Sequence, residues 1–416
     1  MQRVRMSLPY FASFGWEAEV VTVDEHYTDM AKDDLLLQCI PAEIAVHKVK
    51  AFNKRWTSKF GLGSLALRSL WFYRKKVNQL LRSRKFDLIY FSTTQFPVCV
   101  LGAYWKKRFG IPYIIDMQDP WHSDYYQGKP KEQQPPKYWF SYRLNKYLEP
   151  IALNNVDGLI SVSENYITIL KNRYPQIKNI PSATITFGAY KPDLKIAADN
   201  RQNFLPVLDT AFKNIVYIGR GGADMSKAFA VLFKNLKKCI DADPALFSKI
   251  RFYFIGTSYA PAGQGSPTIL PLAKQYQVEN NVIELTDRIS YYHTLLTLQQ
   301  ANALFIPGSD DPNYTASKIY PYLLTQKPLL AILNRQSSMV SILEQCTLDA
   351  TVLTIQGDDD TTDNKLCALL TDWANGNLQN TQLTNLFENY SARSLTMQQV
   401  KVFDKVLEKS FFKQDT

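Results

Sequence analysis

Short apolar runs alternate with longer stretches of helical periodicity along almost the whole chain of 416 residues. A run that is apolar on both faces is a strand covered on both sides. Parallel sheets flanked by helices bury strands in that way. In the first half, strands are predicted at residues 19–23, 44–48, 88–91, 113–115, 158–161 and 184–186, with helices at 65–83, 98–109, 138–154 and 164–173. The second half repeats the alternation. Strands are predicted at 215–218, 252–255, 282–285, 304–306, 329–332 and 351–353, with helices at 225–240, 270–276, 291–300, 316–324, 337–345 and 364–374.

A chain of this length exceeds one ordinary core, so the two series read as two doubly wound, Rossmann-like α/β domains. The expected boundaries are 1–188 for the first domain, 189–210 for a linker of weak apolar periodicity, 211–385 for the second domain and 386–416 for a terminal helix. Residues 1–14 read as a helix with Val4, Leu8 and Phe11 on one side. No apolar stretch is long enough to span a bilayer, and the two Arg among the first ten residues do not suit a secretory leader. The five Cys are scattered and lack metal spacing, which suits a reducing cytoplasm. His26, His47, His122 and His293 show no metal pairing, and His122 reads as a surface residue or as one that approaches the ligand cleft beside Trp121.

The net charge of +10 is concentrated. Fifteen Lys/Arg and a single acid, Asp87, lie between Val46 and Arg108. Trp71, Arg74, Lys75, Lys76, Arg82 and Arg84 belong to this stretch, interleaved with further aromatics. Such a mixture suits an anionic membrane surface, where amphipathic rings and bases lie together; it also suits a solvated helix face. No nucleic-acid-binding module is visible, so no nucleic-acid partner is expected.

Three loops follow strands and carry polar residues. Gly219-Arg-Gly-Gly-Ala-Asp-Met-Ser-Lys227 opens a helix, where glycines let a backbone approach a phosphate and helix polarity favours anions. Gly219, Gly221 and Gly222 are the candidate cradle, and Arg220 and Lys227 the candidate clamp for a departing diphosphate. A tight turn with exposed charges is the alternative. The stretch after Gly308 runs through Asn313, Tyr314, Thr315, Ser317 and Lys318 into a helix and then Lys327-Pro328 and a strand. It too reads as a ligand-binding strand end or as a plain helix start. Asp116-Met-Gln-Asp-Pro-Trp121 closes a third strand, with Asp119 either facing a ligand or capping a turn before Pro120.

These phrases resemble the two-domain GT-B fold of retaining, family-4-like glycosyltransferases. The resemblance covers nearly the whole chain. It implies domains facing across a cleft, with the terminal helix crossing back to the first. The first domain would take an acceptor and the second a nucleotide-diphospho-sugar as donor substrate, with no cofactor and no metal. Asp119 would steer the acceptor, and Thr257, after the strand-Gly element Ile255-Gly256, would lie near the base. Asn313, Tyr314, Thr315, Ser317 and Lys318 would hold the donor. The family's two Glu, with seven residues between them, fall here on Asn313 and Pro321, with Asp310 and Asp311 as nearby acids. The family also begins with a strand and a Gly-rich loop that are lacking ahead of residues 1–14, which suggests a true start further upstream.

The expected function is transfer of a sugar to a membrane-associated glycan or glycolipid in surface polysaccharide synthesis, in the cytoplasm or at the inner face of its membrane. Two alternatives remain open. One is a non-catalytic binding or scaffold protein with a degenerate donor site. The other is a sugar-nucleotide epimerase, for which acidic and His groups are scarce.

Overall fold

The computed structural model describes residues 2–28, 32–124, 126–135, 137–311, 319–356 and 360–412. The chain divides into two compact units. Unit 1 comprises residues 1–187 together with 392–416, and unit 2 comprises 188–391.

The described residues of unit 1 contain six strands: β1 (Val20–Val23), β2 (Val46–Val49), β3 (Ile89–Ser92), β4 (Tyr113–Met117), β5 (Gly158–Ser161) and β6 (Ser182–Thr184). β1 and β2 form a parallel pair, and β3-β4-β5-β6 form a parallel four-stranded sheet. β4 is buried at every position. Its alternation sends Tyr113, Ile115 and Met117 into one core and Ile114 into another. The second core is closed by the helix Ala392–Phe412, through Leu395, Phe403 and Val406. Gly158 admits that helix, because a Cβ there would lie 2.9 Å from Val406 and 3.0 Å from Ile114.

Unit 2 is one six-stranded parallel sheet in the order β12-β11-β10-β7-β8-β9. Its strands are β7 (Lys213–Ile218), β8 (Ile250–Ile255), β9 (Val282–Leu285), β10 (Ala303–Pro307), β11 (Leu329–Leu333) and β12 (Thr351–Thr354). The chain winds outward from β7 through β8 and β9, then returns to start again at β10 on the other side. The order therefore reverses between β7 and β10, and a crevice opens beyond the carboxyl ends of strands at such a point. β7, β10 and β11 are buried nearly throughout, as strands covered by helices on both faces must be.

Several expectations are corrected. Residues 189–210 are not a plain linker. They include the helix Pro192–Asp199, whose Asp193 is 1% exposed and accepts hydrogen bonds from Tyr291 (2.8 Å) and Tyr292 (3.0 Å). Pro192 sits where a helix tolerates a missing N–H, so the polar sequence hides a docked first turn. The opening helix spans only Gln2–Ser7; Pro9 lacks an N–H donor, and two 3₁₀ turns follow. The last sheet strand of unit 1 lies two residues earlier than expected, at β6. The carbonyls of Ile185 and Thr186 instead accept from the buried guanidinium of Arg3. The terminal helix starts at Ala392, not at residue 386. Asn385–Tyr390 is a 3₁₀ turn whose Phe387 packs into the core of unit 2.

Candidate active site

The Gly-rich loop lies at the switch point, directly after β7. Gly219 N–H donates to Ile255 O (2.9 Å) and Gly221 N–H to Thr257 O (2.9 Å), which extends the β7–β8 pairing past the strand ends. Those two amides thus tie the loop to β8 rather than serving as a phosphate cradle. The absence of side chains on the glycines has another cause. A Cβ on Gly219 would collide with the Tyr217 ring, and one on Gly221 would lie 2.7 Å from Thr268 Oγ1. At Gly222 it would strike Arg220 Nη1 and Asp224 Oδ1.

Those last two atoms belong to the ion pair that organises the site. Arg220 donates through Nη1 to Asp224 Oδ1 and through Nη2 to Asp224 Oδ2, both at 2.6 Å. Ser309 Oγ donates to Asp224 Oδ2 (2.5 Å), and Asp310 N–H donates to Asp224 O (2.7 Å). Asp224 thereby joins the loop after β7 to the loop after β10. The Arg220 hydrogen bond is the leading cause that lowers its pKa to about 2; desolvation opposes it and Ser309 adds to it. Lys227 reaches the same loop, 3.3 Å from Asp310 Oδ2. Asn334 holds that loop from the end of β11 by donating to Asp310 O (2.9 Å). Gly308 allows the close approach, since a Cβ would lie 2.7 Å from Leu333 Cα.

The structure therefore brings Gly219, Arg220, Gly221, Gly222 and Lys227 together with Ser309 and Asp310. Thr257 is adjacent, but its hydroxyl donates to Glu284 Oε1 (2.7 Å). Glu284 also accepts from the amides of Thr268, Ile269 and Leu270, capping the helix Leu270–Gln275. Thr257 is thus one of the groups that fix the loop wall, a different engagement from that expected of it. Asn313, Tyr314, Thr315, Ser317 and Lys318 lie outside the described residues. Pro321 lies within the helix Ile319–Thr325. Asp224, Ser309 and Glu284 were missed as site residues. Only Asp224 left a trace in the sequence, four positions after Arg220, the spacing at which opposite charges meet on a helical turn.

In unit 1, Asp116 is fully buried. Its Oδ2 accepts from Arg3 (2.7 Å), Ser92 (2.8 Å), Gln118 (2.9 Å) and Tyr90 (3.2 Å), while its Oδ1 has no hydrogen-bond partner among the described residues. Asp119 is exposed, and partial desolvation raises its pKa above the usual 3.8. Trp121 is buried, stacked on Phe96 and bonded to Asn145. His122 is no surface residue: its side chain is 7% exposed, against the Tyr142 ring. Desolvation lowers its pKa. Glu149 lies beneath it, bonded to His122 N–H, Arg173 and Tyr174.

On the basic face, the helix Leu65–Ser83 exposes Trp71, Arg74, Lys75 and Arg82 and half-buries Lys76. Lys75 lies over the Trp71 ring at 5.3 Å and Arg74 over Tyr104 at 4.6 Å. Arg84, just past the helix, belongs less to this face, because Glu19 folds back onto it at 2.6 Å. Among the described residues, the group of potential metal ligands is Asp24, Glu25 and His26. Glu25 there pairs with Lys48 and His26 with Asp24. No helix of the described residues is long and apolar enough to cross a membrane.

A parallel six-stranded sheet with a Gly-rich loop at its switch point is the architecture of a Rossmann-like domain. Residues 2–175, nearly all of the amino-terminal part of unit 1, match the family described as glycosyl transferase 4-like domain. The chain thus carries a region similar to the glycosyl transferase 4-like domain, on a two-domain fold of the GT-B kind. Its fold is shared by a glycosyltransferase from Rickettsia africae ESF-5, with 11% identity, a TM-score of 0.54, and coverage of 98% of this chain and 94% of that one. Anabaena Alr3699/HepE, solved with UDP and glucose, aligns with 15% identity, a TM-score of 0.49, and coverage of 99% and 94%. A UDP-forming α,α-trehalose-phosphate synthase from Burkholderia xenovorans aligns with 12% identity, a TM-score of 0.48, and coverage of 99% and 95%. No curated protein matches the chain.

Proposed function

We propose that the chain is a glycosyltransferase that moves a sugar from a nucleotide-diphospho-sugar to a membrane-associated glycan or glycolipid. The observation that carries the donor reading is the meeting of Arg220 and Lys227 at the β7/β10 switch point of unit 2, on loops joined through Asp224, Ser309 and Asp310. Such cations stabilise the negative charge that develops on a departing diphosphate without proton transfer. Transfer would be metal-independent and would retain the anomeric configuration, in keeping with the resemblance of the motifs. Asp119 of unit 1, an exposed carboxyl whose pKa partial desolvation raises, would orient the acceptor hydroxyl. The acceptor class, with a role in surface polysaccharide synthesis at the cytoplasmic face of a membrane, is supported by the bases and rings on the helix Leu65–Ser83.

A second reading, a non-catalytic binding protein on the same fold, draws on one observation. Both cations are already paired with carboxylates, Arg220 with Asp224 and Lys227 with Asp310, so an incoming diphosphate competes with both. Thermal unfolding with UDP, GDP, ADP and their sugars separates the two. Donor at roughly a hundredfold excess over its Kd should stabilise the fold by about 2.7 kcal/mol, and Arg220→Ala should abolish the shift. A well-folded protein that shifts with none of them refutes the donor reading.

A further inference from the structure

Phe52 to Leu62 present four large apolar side chains to solvent within one short segment: Phe52 (49% exposed), Trp56 (69%), Phe60 (77%) and Leu62 (44%). The segment is not a loose loop. Asn53 caps its first turn by accepting from Arg55 N–H (2.9 Å), the helix Lys54–Thr57 and a 3₁₀ turn follow, and Gly61 ends it in the left-handed region at φ +74°. Its base is bolted down from inside. The buried Arg68 donates to the carbonyls of Phe52 (2.7 Å) and Tyr27 (2.9 Å), and Phe52 N–H donates to Arg68 O (3.0 Å). A built hook thus holds apolar groups in water, which costs stability unless something covers them.

The apolar surface continues on both sides. Phe52 packs 4.9 Å from Phe72 and 6.4 Å from the exposed Trp71. A Cβ on Gly61 would lie 3.1 Å from the ring of Phe140, whose neighbour Trp139 is 65% exposed. Cations lie over three of the exposed rings: Lys59 on Trp56, Lys75 on Trp71 and Arg143 on Trp139. Acids are missing. Residues 52–76 contain none, and the one acid of the helix Tyr138–Leu153, Glu149, is buried and paired with Arg173. Rings capped by cations on segments that expose no acid of their own, the nearest exposed one being Asp124 bonded to Tyr142, match the boundary between anionic headgroups and acyl chains.

We infer that the hook Phe52–Leu62 is a membrane-inserting element, in which Trp56, Phe60 and Leu62 enter an anionic bilayer while Lys59, Lys75 and Arg143 meet its headgroups. The inference deepens the membrane side of the reading above and is independent of the donor site. The full chain is sedimented with vesicles of phosphatidylcholine, with and without phosphatidylglycerol, and its tryptophan fluorescence is recorded with bromine-labelled lipid chains. Binding is expected to the anionic vesicles, with quenching. Phe60→Glu, at a site already exposed, should weaken binding at least about tenfold, and Phe60→Leu should restore it. The donor-induced thermal shift should be the same in all three proteins, so a lost shift reports on unit 2 and a lost pelleting on the hook. Binding that survives Phe60→Glu, or binding without quenching, overturns insertion and leaves a purely electrostatic contact. Failure of the unaltered protein to pellet with any vesicle overturns the inference in favour of a protein partner on this face.

Discussion

Arg220 and Asp224 form a two-pronged ion pair across one turn, with both terminal nitrogens of the guanidinium 2.6 Å from the two carboxylate oxygens. The pair holds the guanidinium in one orientation, and Ser309 fixes the carboxylate in turn. Replacing Arg220 with Ala should lower kcat by about 10²–10³-fold in a transferase assay, as for loss of one charge-stabilising donor. Arg220→Lys should restore little, because an ammonium cannot reproduce the fork. Asp224→Asn keeps the shape and removes the charge. It should tighten UDP binding through loss of a competing anion while lowering kcat, a split that isothermal titration and steady-state kinetics resolve together.

Gly222 and Gly308 are small for different reasons. A methyl group at Gly222 meets only the far ends of two side chains, Arg220 and Asp224. Gly222→Ala should therefore separate the pair and cost activity with little change in Tm. At Gly308 the methyl meets backbone, 2.7 Å from Leu333 Cα and 3.0 Å from Ile332 O. Gly308→Ala should destabilise the fold by about 1–3 kcal/mol, measured by urea unfolding.

The pH dependence of unit 2 follows from Asp224. Its pKa falls from 3.8 to about 2 on folding, mainly through the hydrogen bond from Arg220. A group lowered in this way stabilises the folded form above its unfolded value. The contribution is constant at neutral pH and disappears as the pH drops from about 4 to about 2. Thermal unfolding across that window should show a steeper loss for the unaltered protein than for Asp224→Asn.

Tyr104 in unit 1 should titrate early. Hydrogen bonds from Asn78 first, then Arg74, with a further one from Arg108, lower its pKa from 10.0 to about 8. Ultraviolet difference titration should show one phenol ionising near pH 8, and Asn78→Ala should move it upward. Because the ionised form is favoured in the fold, the linked stabilisation is complete above pH 10 and fades as the pH falls through 8.

What the sequence revealed and what it hid follow one division. β10 and β11 were legible, since strands buried on both faces leave continuous apolar runs such as Leu329–Leu333. The loop at Gly219 was legible as a strand-to-helix passage. The side-chain engagements were not, because they join distant positions. Arg3 reaches Asp116 across 113 residues, and Ser309 reaches Asp224 across 85. Thr257 looked like a ligand contact until Glu284, 27 residues later, proved to hold its hydroxyl. His122 looked exposed because polar neighbours surround it in sequence, whereas Tyr142 and Glu149 enclose it in space. Pairings of this kind leave no periodicity to read.

The helix Ala392–Phe412 belongs to the unit that the chain began to build almost four hundred residues earlier. During synthesis the whole of unit 2 leaves the ribosome before this helix does. The amino-terminal sheet must meanwhile keep Ile114 and Ile160 uncovered on the face that Phe403 and Val406 later close. Folding thus runs against the usual order in which the first domain made is the first completed. A chain cut before Ala392 would leave the face of Ile114 and Ile160 without Phe403 and Val406, so the long separation in sequence makes unit 1 depend on a segment made after all of unit 2.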